Sequence, residues 1–159
     1  MKKIIEYLNI NNKTVSTMES ASGGYLASSI TNISGSSLVF KFGAVTYSNE
    51  YKIKMGVDKE LIANYSVYSL EVAKDMSFKI SSFTNSNYGV GVTGKINAPD
   101  PNNDYGDDST IYLSLYDKDK DKYYTKTIKA VKENRIKNKE LIVDEVISLF
   151  KEFIINRDK

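Results

Sequence analysis

Residues 14–30 limit the fold of this chain more than any other stretch. A β-like run over 14–18 turns through Glu19-Ser20-Ala21-Ser22-Gly23-Gly24 into a helix-like run over 25–30. Small hydroxyl residues and two glycines let the chain reverse tightly. A helix that starts there presents unpaired N–H groups and its positive dipole end to whatever lies in front. The turn therefore suits an anion, and it suits simple helix capping by Ser20 or Ser22 equally well. In both cases a strand feeds directly into a helix, which is the building unit of layered α/β architecture.

The remaining pattern extends that unit. Ile4, Ile5 and Leu8 mark a short amphipathic helix over 1–11, and aromatic and β-branched residues over 38–47 mark a strand after the Ser34-Gly35-Ser36-Ser37 turn. Ser48-Asn49-Glu50 caps a helix that Gly56 ends, and 58–65 adds another short helical turn. A longer helix over 69–83 carries Val72, Met76, Ile80 and Phe83 as a buried stripe. The run 88–93 alternates glycine with valine, as in a buried strand approached closely by another backbone. After an aperiodic loop over 94–109 come strands 110–116 and 123–129, joined by a solvated hairpin tip of alternating Asp and Lys over 117–122. A last helix over 134–155 presents Ile136, Leu141, Val146, Leu149, Phe150 and Phe153. The predicted fold is a single α/β domain over 1–159, a three-layer α/β/α sandwich whose hairpin makes the sheet mixed, with about five or six strands.

Composition narrows the chemistry. The chain has no cysteine and no histidine. Thiolate nucleophiles, disulfides, the usual Cys/His zinc sites and every imidazole-based triad are thereby excluded. A covalent hydrolase built from this sequence needs a hydroxyl nucleophile activated by lysine, tyrosine or a carboxylate. The net charge of +2 with interspersed signs gives no argument for nucleic acid or a membrane surface. No run approaches the ~20 apolar residues that cross a bilayer, so a cytoplasmic location is expected.

Ligands of open α/β sheets gather at the carboxyl ends of strands. Three loops leave such ends: 19–24, Ser48-Asn49-Glu50 and Thr93-Gly94-Lys95. A serine paired with a lysine is the most economical nucleophile and base available. An ordinary lysine, with a pKa near ~10.4, is charged at neutral pH, so a catalytic one must be desolvated or sit beside another cation. Lys52 lies just after a strand end, where its stem can be buried.

Together these segments resemble the C-terminal domain family of the competence-associated CinA proteins, whose enzymatic members are nicotinamide-nucleotide amidases. The family's pattern runs Glu-Ser-Cys-Thr-Gly-Gly, Pro-Gly-Ser-Ser, Val-Thr-Tyr-Ser-Asn-Glu-x-Lys and Thr-Gly-Ile-Ala-Gly-Pro, then an arginine before the last helix. This chain offers Glu19-Ser20-Ala21-Ser22-Gly23-Gly24, Ser34-Gly35-Ser36-Ser37, Val45-Thr46-Tyr47-Ser48-Asn49-Glu50-Tyr51-Lys52, Thr93-Gly94-Lys95-Ile96-Asn97-Ala98-Pro99 and Arg135. The resemblance covers nearly the whole chain. It implies metal-free and cofactor-free hydrolysis of the carboxamide of nicotinamide mononucleotide to nicotinic acid mononucleotide and ammonia.

By position, the resemblance gives Ser37 as nucleophile, Lys52 as general base and Tyr47 as their support. It gives Ser20, Ser22, Gly23, Gly24, Thr93, Gly94 and Arg135 as substrate-binding residues, with Arg135 and the start of the helix after Ser22 toward the phosphate. It also implies a stand-alone form of the domain and a homodimer, with a nucleotide as partner and neither nucleic acid nor membrane. The chain departs from the pattern at Ala21 and Met18. It departs more in the loop, where residues 95–104 are one longer than the family's and Asp107-Asp108-Ser109 replaces Lys-Pro-Val-Gly. A catalytically weak or inactive nucleotide-binding module of the same fold is the alternative that this loop suggests.

Overall fold

Strand β1 (Val15–Glu19) is buried at every position because it lies inside the sheet with helices over both faces. The structure is a computed structural model that describes residues 1–157. β2 (Phe40–Val45) and β3 (Tyr88–Gly94) flank β1 and run parallel to it. β4 (Thr110–Asp117) and β5 (Lys122–Lys129) follow as an antiparallel hairpin, giving the order β2-β1-β3-β4-β5. The mixed α/β sheet expected from the sequence is thus present, with five strands.

Helices α1 (Lys2–Ile10), α2 (Tyr25–Thr31) and α6 (Arg135–Phe150) cover one face, where Ile4, Leu8, Leu26, Ile142 and Val146 meet Val15, Val90 and Leu113. α5 (Leu70–Thr84) covers the other, with Val72, Met76 and Ile80 packed on Met18 and Ala44. The short helices α3 (Asn49–Lys54) and α4 (Lys59–Tyr65) flank this second cluster, and the connecting Met55 and Val57 pack into it. α5 begins at Ser69, whose side chain accepts from the Val72 N–H, and ends at Asn85 in the left-handed conformation. α6 begins similarly, with Asn134 accepting from the Lys137 N–H, and its last turn widens to a π-helix over Lys151–Ile155.

Three expectations fail in detail. Phe83 lies outside the buried stripe of α5 and is exposed, touching the ring of Phe42 at the sheet edge. Ile136 is 48% exposed, and Ile142 and Val143 take the core positions of α6 instead, because the apolar face rotates away from the first turn. Asp117, expected at a solvated tip, is buried. Its carboxylate turns back to accept the N–H groups of Asp119 and Lys120, closing the hairpin locally. Burial pushes its carboxyl pKa up, and those hydrogen bonds and Lys120 oppose the rise.

The glycines of β3 set the spacing of the second layer. A Cβ on Gly89 would run into the carbonyl oxygen of Ser77, and one on Gly91 into that of Ala73, both on α5. Hydroxyl pairs fill the same narrow gap, with Ser77 2.8 Å from Ser114 and Ser16 2.8 Å from Ser86. Gly91→Ala is therefore expected to lower stability by about 2 kcal/mol or more through overpacking. Denaturant unfolding measures it, and an unchanged midpoint would contradict this close approach.

Candidate active site

The carboxyl ends of β1, β2 and β3 lie side by side, and the chain between them fixes one serine and one lysine. Ser20 immediately follows β1. Its N–H donates to Val92 O of β3 at 2.9 Å, and Glu19 O accepts the N–H of Thr46 beyond β2 at 2.8 Å. Ser48 caps α3 by accepting the Tyr51 N–H. One turn later α3 brings Lys52 back over the end of β1. Its Nζ donates to Ser20 Oγ at 3.1 Å and to Thr46 O at 2.8 Å.

Lys52 is 1% exposed. Burial disfavours the charged amine and lowers its pKa to about 8, even though the negative charge of Asp100 acts in the opposite direction. At neutral pH a measurable fraction of this amine is therefore unprotonated, unlike that of a surface lysine. The unprotonated amine can accept the Ser20 hydroxyl proton along the contact that joins them.

Ser20 opens onto a cleft of about 540 Å³. It is lined by Ala21 and by Tyr47, Ser48 and Asn49 before and at the start of α3, by Tyr68 and most of the loop from Gly94 to Asn103, and by the exposed Arg135. The loop is tied down along its length. Asp100 accepts the Tyr68 hydroxyl, the Asn103 side-chain amide at 2.7 Å and the Asn102 N–H at 2.9 Å. Asn103 in turn accepts from the Asn49 side chain at 2.7 Å, joining the loop to α3. Lys95 pairs with Asp108 at 3.2 Å across the loop base, and Arg135 Nη1 donates to Ile96 O at 2.8 Å. Burial raises the Asp100 carboxyl, but the hydrogen bonds from Tyr68, Asn103 and Asn102, with the charge of Lys95, outweigh it and hold the group below the usual carboxylate value. Burial and then the bond to Asp100 hold the Tyr68 hydroxyl well above the ordinary tyrosine value.

The serine that meets the lysine is Ser20 and not Ser37. Ser37 sits exposed on a single 3-10 turn, Ser36–Leu38, that leads from Gly35 toward β2, and it is not among the residues that line the cleft. Tyr47 does line the cleft, with its side chain mostly in solvent at 66% exposure. Gly94 and Arg135 line it as well. Gly94 is required at its position: its φ is +144°, and a Cβ would lie 2.5 Å from Thr110 O.

The anion cradle expected at the start of α2 is occupied from within. Glu19 is buried, and its carboxylate accepts the N–H groups of Leu26 and Ala27 and the Ser22 hydroxyl. Ser22 is thus turned inward. Gly23 and Gly24, both with positive φ, carry the turn into α2, and Thr93 is committed to Val67 O at 2.8 Å. None of these four is among the residues that line the cleft. Tyr68, Asp100 and Asn103 were not singled out from the sequence, since nothing in their local pattern shows that a loop and the start of α5 face each other. Asn49 lay in view inside the Val45-to-Lys52 motif.

Comparison with known proteins bears on the family and the fold. A family model described as the CinA C-terminal domain matches residues 1–154. A CinA-like protein of Endomicrobium trichonymphae is 47% identical over 53% of this chain and 20% of its own length. A putative competence-damage inducible protein of Clostridium kluyveri is 42% identical over 66% of the chain and 26% of its own. The chain therefore spans only about a fifth to a quarter of the length of these curated relatives. The crystal structure of a competence/damage inducible protein from Agrobacterium tumefaciens superposes with a TM-score of 0.80 at 26% identity, over 92% of this chain and 91% of that one. A CinA superfamily structure from Escherichia coli has the same fold, with a TM-score of 0.86 at 20% identity over 96% and 87% of the two chains. No helix among the described residues is long and apolar enough to cross a membrane. With its sheet order, its Val45-to-Lys52 segment and a family match over nearly its full length, the chain belongs to the CinA C-terminal domain family.

Proposed function

We propose that the chain is an amidohydrolase acting on the carboxamide of nicotinamide mononucleotide, with Ser20 as nucleophile and Lys52 as general base. The observation that carries this assignment is the buried Lys52 amine, 3.1 Å from a serine hydroxyl that opens onto the cleft. A lysine is buried at a cost unless its site uses it, and a depressed pKa is what a general base needs.

The chemistry balances with the groups present. Unprotonated Lys52 takes the hydroxyl proton as Ser20 Oγ bonds to the amide carbon. The amides of Ala21 and Ser22, at the turn that follows the nucleophile, are the groups nearest in sequence to hold the oxyanion. The C–N bond then breaks, with Lys52 returning its proton to the leaving nitrogen as ammonia. Water attacks the resulting ester, giving up its proton through Lys52 and freeing the acid and Ser20. Arg135 in the cleft lining suits the ribose phosphate, since its guanidinium has donors beyond the one given to Ile96 O. Ser37, the nucleophile expected by position, has no part in this scheme. The alternative is a nucleotide-binding module without turnover, and it would show saturable binding with no product. A homodimer is proposed with the enzyme, supported by an edge strand β2 that leaves Phe42 and Val45 exposed beside the exposed Leu38.

Ammonia release from nicotinamide mononucleotide tests the assignment. Ser20→Ala and Lys52→Ala are expected to lose about 10³-fold or more in kcat/KM, and Ser37→Ala to stay within about threefold of the parent. Loss in Ser37→Ala with retention in Ser20→Ala would reverse the roles. The pH dependence follows from the same contact. The active form has Lys52 unprotonated, so kcat/KM is expected to rise about tenfold per pH unit below pH 8 and level off above it. A profile flat from pH 6 to 9 would remove Lys52 as the base.

A further inference from the structure

The cleft onto which Ser20 opens also carries the carboxylate of Asp100, which has no salt-bridge partner within 4 Å among the described residues. Among the charged residues that line the cleft, Lys95 is paired with Asp108 at 3.2 Å, and Arg135 leans on the carbonyl of Ile96. The direct partners of Asp100 are all neutral: the Tyr68 hydroxyl, the Asn103 amide and the Asn102 N–H. They fix the carboxylate in place, and Lys95 acts on its charge only from beyond hydrogen-bond distance.

Two tyrosines line the cleft with it. Tyr68 already receives a cation, with Lys95 Nζ 5.1 Å from its ring centroid. Tyr47 lines the same cleft with its side chain largely uncovered. A carboxylate and an uncovered aromatic ring in one cleft are the groups that recognise a fixed organic cation, one that has no N–H to donate and is held by charge and a π-face alone. The charge of Asp100 also reaches Lys52, so a cation held at Asp100 lies within electrostatic range of the proposed nucleophile–base pair.

We infer that Asp100, with Tyr47 and Tyr68, is a specificity-determining element that selects substrates carrying a fixed positive charge on the ring bearing the amide. The inference rests on the amidase assignment and deepens it. The ring of nicotinamide mononucleotide is such a cation, and its 1,4-dihydro form has the same phosphate, ribose and carboxamide with a neutral ring. A cation bound there also offsets the field of Asp100 at Lys52, which favours the unprotonated base.

Titration calorimetry with the two forms of the mononucleotide, carried out in the Ser20→Ala background, which serves as the parent for this comparison, decides the matter independently of turnover. The oxidised, cationic form is expected to bind about tenfold more tightly than the dihydro form. Asp100→Asn, close in shape, is expected to bring the two within about threefold, whereas Asp104→Asn, on the same loop away from this cleft, keeps the parent's preference. Equal binding of both forms by the parent, no binding of either, or a preference that survives in Asp100→Asn would overturn the inference. If the amidase assignment alone fails, charge selectivity persists in the binding data while no ammonia is released. If the inference alone fails, ammonia is released from both forms at similar kcat/KM. Tyr47→Leu supplies a second check, with an expected loss of affinity for the cationic form only.

Discussion

The buried amine of Lys52 is the contact on which the site depends. An unpaired ammonium in a protein interior is strongly disfavoured, so the amine must find acceptors or lose its proton. It does both in part. Thr46 O and Ser20 Oγ accept from it, and desolvation brings its pKa down toward the working range of a base. For this to happen α3 must begin at Ser48, so that one helical turn returns Lys52 to the end of β1. The parallel pairing of β1 with both β2 and β3 must also hold Ser20 in register. The catalytic proposal is in this sense a property of three strand ends and one capped helix.

The other half of the site comes from a segment without regular structure. Residues 95–109 form no element of the sheet or helices, yet they are tied to α3 through Asn49, to the start of α5 through Tyr68 and to α6 through Arg135. Each tie joins groups far apart in sequence, so the loop becomes a wall only once the layers are assembled. Its acidic residues separate into different roles. Asp107 and Asp108 pair with Lys129 and Lys95 at the loop base, whereas Asp100 faces the cleft with neutral partners. A loop read from the sequence as a gain of negative charge thus delivers only one carboxylate to the pocket.

The start of α2 shows how a local motif can suit two uses with the same residues. Ser20 and Ser22, two positions apart, face opposite ways: Ser20 toward Lys52 and the cleft, Ser22 inward to Glu19. The carboxylate of Glu19 satisfies the first N–H groups of α2, so this helix end stabilises the turn that presents Ser20 instead of binding a ligand. Gly23 and Gly24 make that division possible by carrying the chain through positive φ between the two serines and the helix.

By itself the sequence determined the order and type of nearly every element, the mixed sheet, the absence of thiol and imidazole chemistry, and a lysine placed just beyond a strand end. These follow from periodicity, capping residues and composition, which act over a few residues at a time. It also marked both Ser20 and Lys52 as residues of interest. Only the tertiary structure decided that these two meet, that Ser37 stands apart, that Glu19 fills the helix end, and that Tyr68 and Asp100 line the cleft onto which Ser20 opens. The physical reason is the same in each case. Hydrogen bonds and charges act over a few ångströms, and the residues concerned, 20 with 52 and 68 with 100, come within that distance only through sheet register and layer packing that no local pattern encodes.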